Sequence, residues 1–114
     1  MRDINTQQEL ALAQLVCAIV SIEFGVPISK LLSLRKGRSH QSFARQVAMY
    51  LLHVVFQVRI AGVGRAFVRD QSTAGYACRM IENQREDPLF DEKLQKLEEL
   101  LNSAMILKTI QSAA

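Results

Sequence analysis

Across its 114 residues the chain has no long apolar run, no paired cysteine motif and no leader-like start, and each absence removes a class of protein. The longest mostly apolar stretches, LALAQLVCAIVSI (10–22) and VAMYLLHVVFQV (47–58), are broken by polar groups and fall short of the roughly 20 residues that a bilayer requires. Neither reads as a membrane span. The start, MRDINTQQEL, has an acid and amides where a signal peptide has a basic end followed by an apolar stretch, so a cytoplasmic protein is expected. Cys17 and Cys78 stand far apart, with no CxxC pair and no histidine at ligand spacing. Reduced thiols packed in a core are expected, rather than a disulfide or a zinc site. No GxxxxGKS or GxxxxGKT occurs, and the lone Gly62-Val63-Gly64 is too weak for a phosphate loop, so ATP binding has no support. With no nucleophile–base grouping and no metal-ligand spacing, neither an enzyme nor a cofactor is expected.

What remains is 49% hydrophobic and 22% charged, enough for one ordinary globular domain spanning residues 1–114. The formal charge of +3 is unevenly spread. Between Arg35 and Arg79 eight cations face one acid, Asp70, a balance of +7, whereas from Met80 onward four cations meet seven acids, a balance of −3. Clustered Lys and Arg gain by displacing counterions condensed on phosphates, so the centre suggests a polyanionic partner. A merely solvated surface has the same composition.

The segments read as helices almost throughout. TQQE places Thr6 and Glu9 in capping-box register, and Leu12, Val16, Ile19 and Val20 recur at helical spacing until Gly25 and Pro27 stop the run. PISKLL (27–32) suits a short second helix. SLRKGRSHQS (33–42) lacks apolar periodicity, contains Gly37 and concentrates cations, so an exposed basic loop is expected there. FARQVAMYLLHVVFQV (43–58) is long and apolar enough for a buried helix, in which His53 is an edge or satisfied histidine rather than a ligand; His40 falls in the basic loop, where assisting phosphate binding is expected. IAGVGRAF (60–67) reads as a short helix whose glycines permit close packing. After Asp87-Pro88, a helix over about 88–110 aligns Phe90, Leu94, Leu97, Leu101 and Ala104. This stripe is expected to pack on its own domain, with a homodimer through a short coiled-coil seam as the alternative.

RDQSTAGYACRMI (69–81) places Asp70 as an N-cap whose carboxylate is expected to accept first-turn N–H groups of a helix running to about Glu86. Ala74, Ala77, Cys78 and Ile81 form its apolar stripe. Ser72, Tyr76, Arg79 and Asn83 form a polar one, flanked at the exposed amino end by Gln71 and Thr73. A short helix, a tight turn and a second helix with a polar start match a helix-turn-helix, whose recognition helix enters the DNA major groove amino end first. The expected architecture is thus all-α, a compact multi-helix domain with a helix-turn-helix preceded by a basic loop.

The order and spacing of SIEFGVPISKLLSLRKGRS, ARQVAMYLL and RDQSTAGYACRMIE resemble the C-terminal DNA-binding domain of the bacterial replication initiator DnaA, over about residues 16–101. The resemblance implies a domain that reads short A/T-rich boxes in double-stranded DNA. It implies a minor-groove cation at Lys36 or its neighbours Arg35 and Arg38, and major-groove reading at Asp70, Gln71, Ser72 and Thr73. Arg45 and Gln46 match a family pair that contacts the backbone and adjacent bases. With Arg69 from the signature, and Tyr76 and Arg79 from the polar stripe, these complete the candidate DNA-binding set.

This chain departs from the family signature Gly-Gly-Arg-Asp-His-Thr-Thr-Val: Val68 directly precedes Arg69, and Gln71, Ser72 and Ala74 replace the histidine, the first threonine and the valine. The basic loop is one residue longer. Glutamine can form two hydrogen bonds with adenine, so DNA reading survives chemically while the favoured box can differ. The initiator's ATPase module has no counterpart here. Sequence-specific duplex binding without ATP is expected, in control of replication initiation or transcription. The alternative is a protein-interaction module that kept the fold and lost DNA readout.

Overall fold

The computed structural model describes residues 5–113, with side chains through residue 105, and shows six helices among them: α1 (Thr6–Phe24), α2 (Ile28–Leu31), α3 (Ser39–Phe56), α4 (Ile60–Phe67), α5 (Gln71–Gln84) and α6 (Pro88–Ala113). No strand occurs among the described residues, and the all-helical expectation holds. No helix among them is long and apolar enough to cross a membrane.

The apolar spacing read from the sequence explains which faces turn inward. Val16, Cys17 and Val20 of α1, Val47, Leu51 and Leu52 of α3, Val63 of α4, and Ala74, Ala77 and Ile81 of α5 meet in one buried cluster. Leu94, Leu97 and Leu101 of α6 join that cluster, with Phe90 packed at its margin. The α6 stripe therefore docks on its own domain. Charged groups fasten the same helix: Arg85 bonds Glu98 through both Nη atoms, each at 3.0 Å, and Asp91 Oδ1 through Nε at 2.5 Å. Arg85 Nη1 also donates to the Tyr50 hydroxyl at 3.1 Å, and Tyr50 in turn donates to Glu82. Helices α3, α5 and α6 are thereby tied through one partly buried network.

Several local expectations shift. The first helix is capped by Asn5, not Thr6: Asn5 Oδ1 accepts from the Gln8 N–H at 2.8 Å, and Gln8 Oε1 accepts from the Asn5 N–H at 3.1 Å. Glu9 is thereby free of capping and turns inward, where it is 3% exposed and ion-paired with Arg65 at 3.0 Å. Gly62 makes room for it, because a Cβ there would stand 2.2 Å from Glu9 Oε2. The third helix starts at Ser39 rather than 43, since Gln41 Oε1 accepts the Arg38 N–H and nucleates a first turn that needs no apolar residue. His40 consequently belongs to that turn, where Nε2 donates to the Phe24 carbonyl at 2.7 Å. His53 is a satisfied histidine, Nδ1 donating to the Val58 carbonyl at 2.7 Å.

Candidate nucleic-acid interface

Between α4 and α5 the chain reverses in three residues. Val68 adopts a left-handed conformation, φ 53, where its N–H reaches the Arg65 carbonyl at 3.2 Å. The Arg69 N–H then reaches the Gly64 carbonyl at 2.8 Å. A Cβ on residue 64 would lie 2.7 Å from the Arg69 carbonyl oxygen, so the turn closes this tightly only over glycine. Asp70 holds the N-cap conformation of α5, but its carboxylate makes no capping hydrogen bond, contrary to the sequence expectation. An uncommitted acid therefore stands at the exposed start of α5. Gln71, Ser72 and Thr73 follow it, all exposed, while Ala74, Ala77, Cys78 and Ile81 are buried beneath. Tyr76 and Arg79 continue the exposed face.

The basic loop lies beside this helix start. Arg35, Lys36 and Arg38 are exposed, and the loop's main chain is held from below by two guanidinium groups. Arg45, on α3, donates from Nε to the Leu31 carbonyl at 2.9 Å and from Nη1 to Lys36 at 3.0 Å. Its Nη2 donates to the carbonyls of Lys30 at 2.7 Å and Arg35 at 3.2 Å. Arg69, on the turn before α5, donates from Nη2 to the Ser33 carbonyl at 2.9 Å and from Nη1 to the Phe67 carbonyl at 2.9 Å. The Ser42 hydroxyl adds a bond to the Lys36 carbonyl at 2.9 Å.

Arg45 is 4% exposed, and its donors are committed to the carbonyls of Lys30 and Leu31 at the end of α2 and of Arg35 and Lys36 in the loop, so it anchors the loop to α3. Burial first, and then the nearby charge of Arg69, push its pKa below the usual guanidinium value. It nevertheless stays cationic, as arginine does in proteins. No carboxylate bonds it among the described residues; carbonyl dipoles alone offset the charge.

A hollow of about 230 Å³ opens where loop, α3 and α5 converge, lined by Leu34, Lys36, Ser42, Arg45, Gln46, Met49, Arg69 and Thr73. Five of the sequence candidates thus line one concavity without an acid. On the other flank of the turn, Thr6, Ala61, Gly64, Arg65, Val68, Arg69, Asp70 and Gln71 surround a more open depression. Arg69 borders both. Arg35, Arg38, Ser72, Tyr76 and Arg79 line neither. Sequence reasoning missed Leu34, which is 70% exposed in the loop, and Ser42, whose hydroxyl shapes the loop. An apolar residue amid cations carried a signal for the first; nothing in the sequence marked the second. Among the described residues no three His, Cys, Asp or Glu side chains gather into a metal-binding cluster.

A family model described as the bacterial dnaA protein helix-turn-helix matches residues 13–81, which contain both the loop and the start of α5. The chromosomal replication initiator protein DnaA of Acinetobacter baumannii is 36% identical over 87 residues, covering 75% of this chain and 18% of that protein. Its counterpart in Microcystis aeruginosa is 33% identical over 95 residues, covering 79% of this chain and 20% of the relative. DnaA 2 of Chlamydia pneumoniae is 30% identical over 94 residues, covering 80% and 19%. The chain thus spans about a fifth of the length of these relatives. A crystal structure of a DNA replication initiation factor superposes over 82% of this chain and 29% of its own, with a TM-score of 0.73 and 26% identity.

Proposed function

Since the chain belongs to the bacterial DnaA helix-turn-helix family, we propose that it binds duplex DNA sequence-specifically, the amino end of α5 in the major groove and the basic loop at the adjacent minor groove. The observation that carries this reading is the juxtaposition of the exposed Gln71, Ser72 and Thr73 with a cationic loop that α3 and the α4–α5 turn hold in place. Gln71 reads a base edge, adenine being its natural partner, while Arg35, Lys36 and Arg38 supply phosphate and minor-groove contacts. Gln46, Asp70, Tyr76 and Arg79 complete the face, and Arg69 holds the loop beside it. The target is an A/T-rich box akin to the one the family reads, altered where Gln71 and Ser72 replace family residues. Through such occupancy the protein acts on replication initiation or on transcription, without ATP, in the cytoplasm at the nucleoid.

The test is selection from a randomised duplex library, run on the wild type and on Gln71→Ala, followed by titration at several salt concentrations. Gln71→Ala is expected to lose about 1–3 kcal/mol of specific affinity and relax one or two base positions, with nonspecific binding nearly intact. An unchanged preferred motif removes Gln71 from base reading. Failure to retain DNA at any salt concentration sinks the DNA reading itself and leaves the interaction-module alternative.

A further inference from the structure

We infer that Arg69 is a positioning residue: its guanidinium fastens the basic loop to the turn that begins the recognition helix, so that the two DNA-facing elements form one rigid body with a preset spacing. The inference rests on the DNA-binding reading for its purpose, but not for its geometry.

The loop and α5 are separated by more than 30 residues of chain, with all of α3 and α4 between them. Cations on a wandering loop could still collect phosphates, yet they would lose ordering entropy on every binding event and would not keep register with bases read by α5. Arg69 removes that freedom at one point. Its Nη1 holds the Phe67 carbonyl of its own turn while Nη2 holds the Ser33 carbonyl at the start of the loop, each at 2.9 Å. The Ser33 hydroxyl then accepts the Arg35 N–H at 3.1 Å, carrying the constraint into the cationic segment. At its other end the side chain stands on a fixed base, because the Arg69 main chain is bonded to Gly64 at 2.8 Å. A planar fork with several donors can span two carbonyls in this way. A lysine, a single ammonium on a flexible stem, preserves the charge but cannot reproduce the span.

Arg69→Lys therefore separates positioning from charge. Nonspecific affinity and its salt slope are expected to stay near the wild-type values, whereas specific affinity falls about tenfold, the scale of one charged hydrogen bond. Base preferences set by the loop should relax more than those set by Gln71. In the free protein, NMR order parameters of residues 33–38 should match those of the flanking helices in the wild type, near 0.85, and drop towards 0.6 in the variant. A mobile loop in the wild type overturns the inference without any variant being made, so a misfolded Arg69→Lys leaves it testable. Equal losses of specific and nonspecific binding reduce Arg69 to a charge contact and overturn it, as does wild-type specificity in the variant. If neither protein binds DNA while the loop still loosens only in Arg69→Lys, the latch stands and the DNA reading falls.

Discussion

Val68 places a β-branched side chain in left-handed backbone, φ 53, at the position where the family signature has glycine. The left-handed region costs a residue with a Cβ about 1–2 kcal/mol. Val68 is 66% exposed, so its side chain returns little of this through packing. Glycine gives back part of the gain through the larger entropy of its unfolded chain, about 0.4–1 kcal/mol. Val68→Gly is consequently expected to stabilise the protein by about 0.5–1 kcal/mol, read as a higher urea midpoint at unchanged slope. A lower midpoint would show that this backbone is not strained. Ionisation supplies a second expectation at this scale. Burial pushes the Cys17 thiol up to about 12, the Cys78 thiol up to about 11 and the Tyr50 phenol up to about 12, the last aided by its bond to Glu82. The unfolded chain releases these protons near their ordinary values of 9.0 and 10.0, while the folded chain retains them. Stability is therefore full at neutral pH and declines between about pH 9 and 12. Urea midpoints measured from pH 7 to 11 should fall beyond pH 9, and Cys78→Ala should remove part of the fall; a flat profile would count against these assignments.

Helix α6 shows how an element is held by two unlike means. Its leucines supply burial without direction, and Arg85 supplies direction, fixing where the helix begins relative to α3 and α5. Arg85→Ala is expected to cost about 2–3 kcal/mol, since it removes the cation paired with Glu98 and Asp91 and one of the two bonds at the Tyr50 hydroxyl. Hydrogen exchange should rise most in residues 88–101; a uniform rise would mean that α6 is not separately anchored. The α6 stripe was legible in the sequence, as was α4, because apolar periodicity reports burial directly. The start of α3 was not, since a first turn can be secured by one glutamine side chain and no apolar residue. Asp70 shows the opposite failure: a favoured cap residue at the right place, with a side chain that forms no cap. The candidate interface was legible as a set of exposed polar residues and cations. Its internal organisation was hidden, because Arg45 and Arg69 bind main-chain carbonyls, which every residue has and no sequence pattern reveals.

For the whole molecule, the division of charge acquires a direction. Of the eight central cations, Arg45 is buried, Arg65 is paired with Glu9, Arg69 is committed to main-chain carbonyls and Arg59 stands at the start of α4, leaving Arg35, Lys36, Arg38 and Arg79 as exposed charges on the proposed face. With those four on phosphates, the logarithm of the binding constant should fall with the logarithm of salt concentration at a slope of about −4. A slope near zero would separate the cations from binding. With Leu94, Leu97 and Leu101 already covered by the domain, the free protein should sediment as a monomer at all concentrations. A dimer that persisted on dilution would show a second interface. Ser42, Arg45 and Arg69 together grip the loop at the carbonyls of Ser33, Arg35 and Lys36. Because those oxygens belong to the peptide unit, non-proline replacements at these positions leave the attachment points in place. The loop can exchange its outward side chains by successive mutation while keeping its outline, which gives new target sequences a short evolutionary route on an unchanged scaffold.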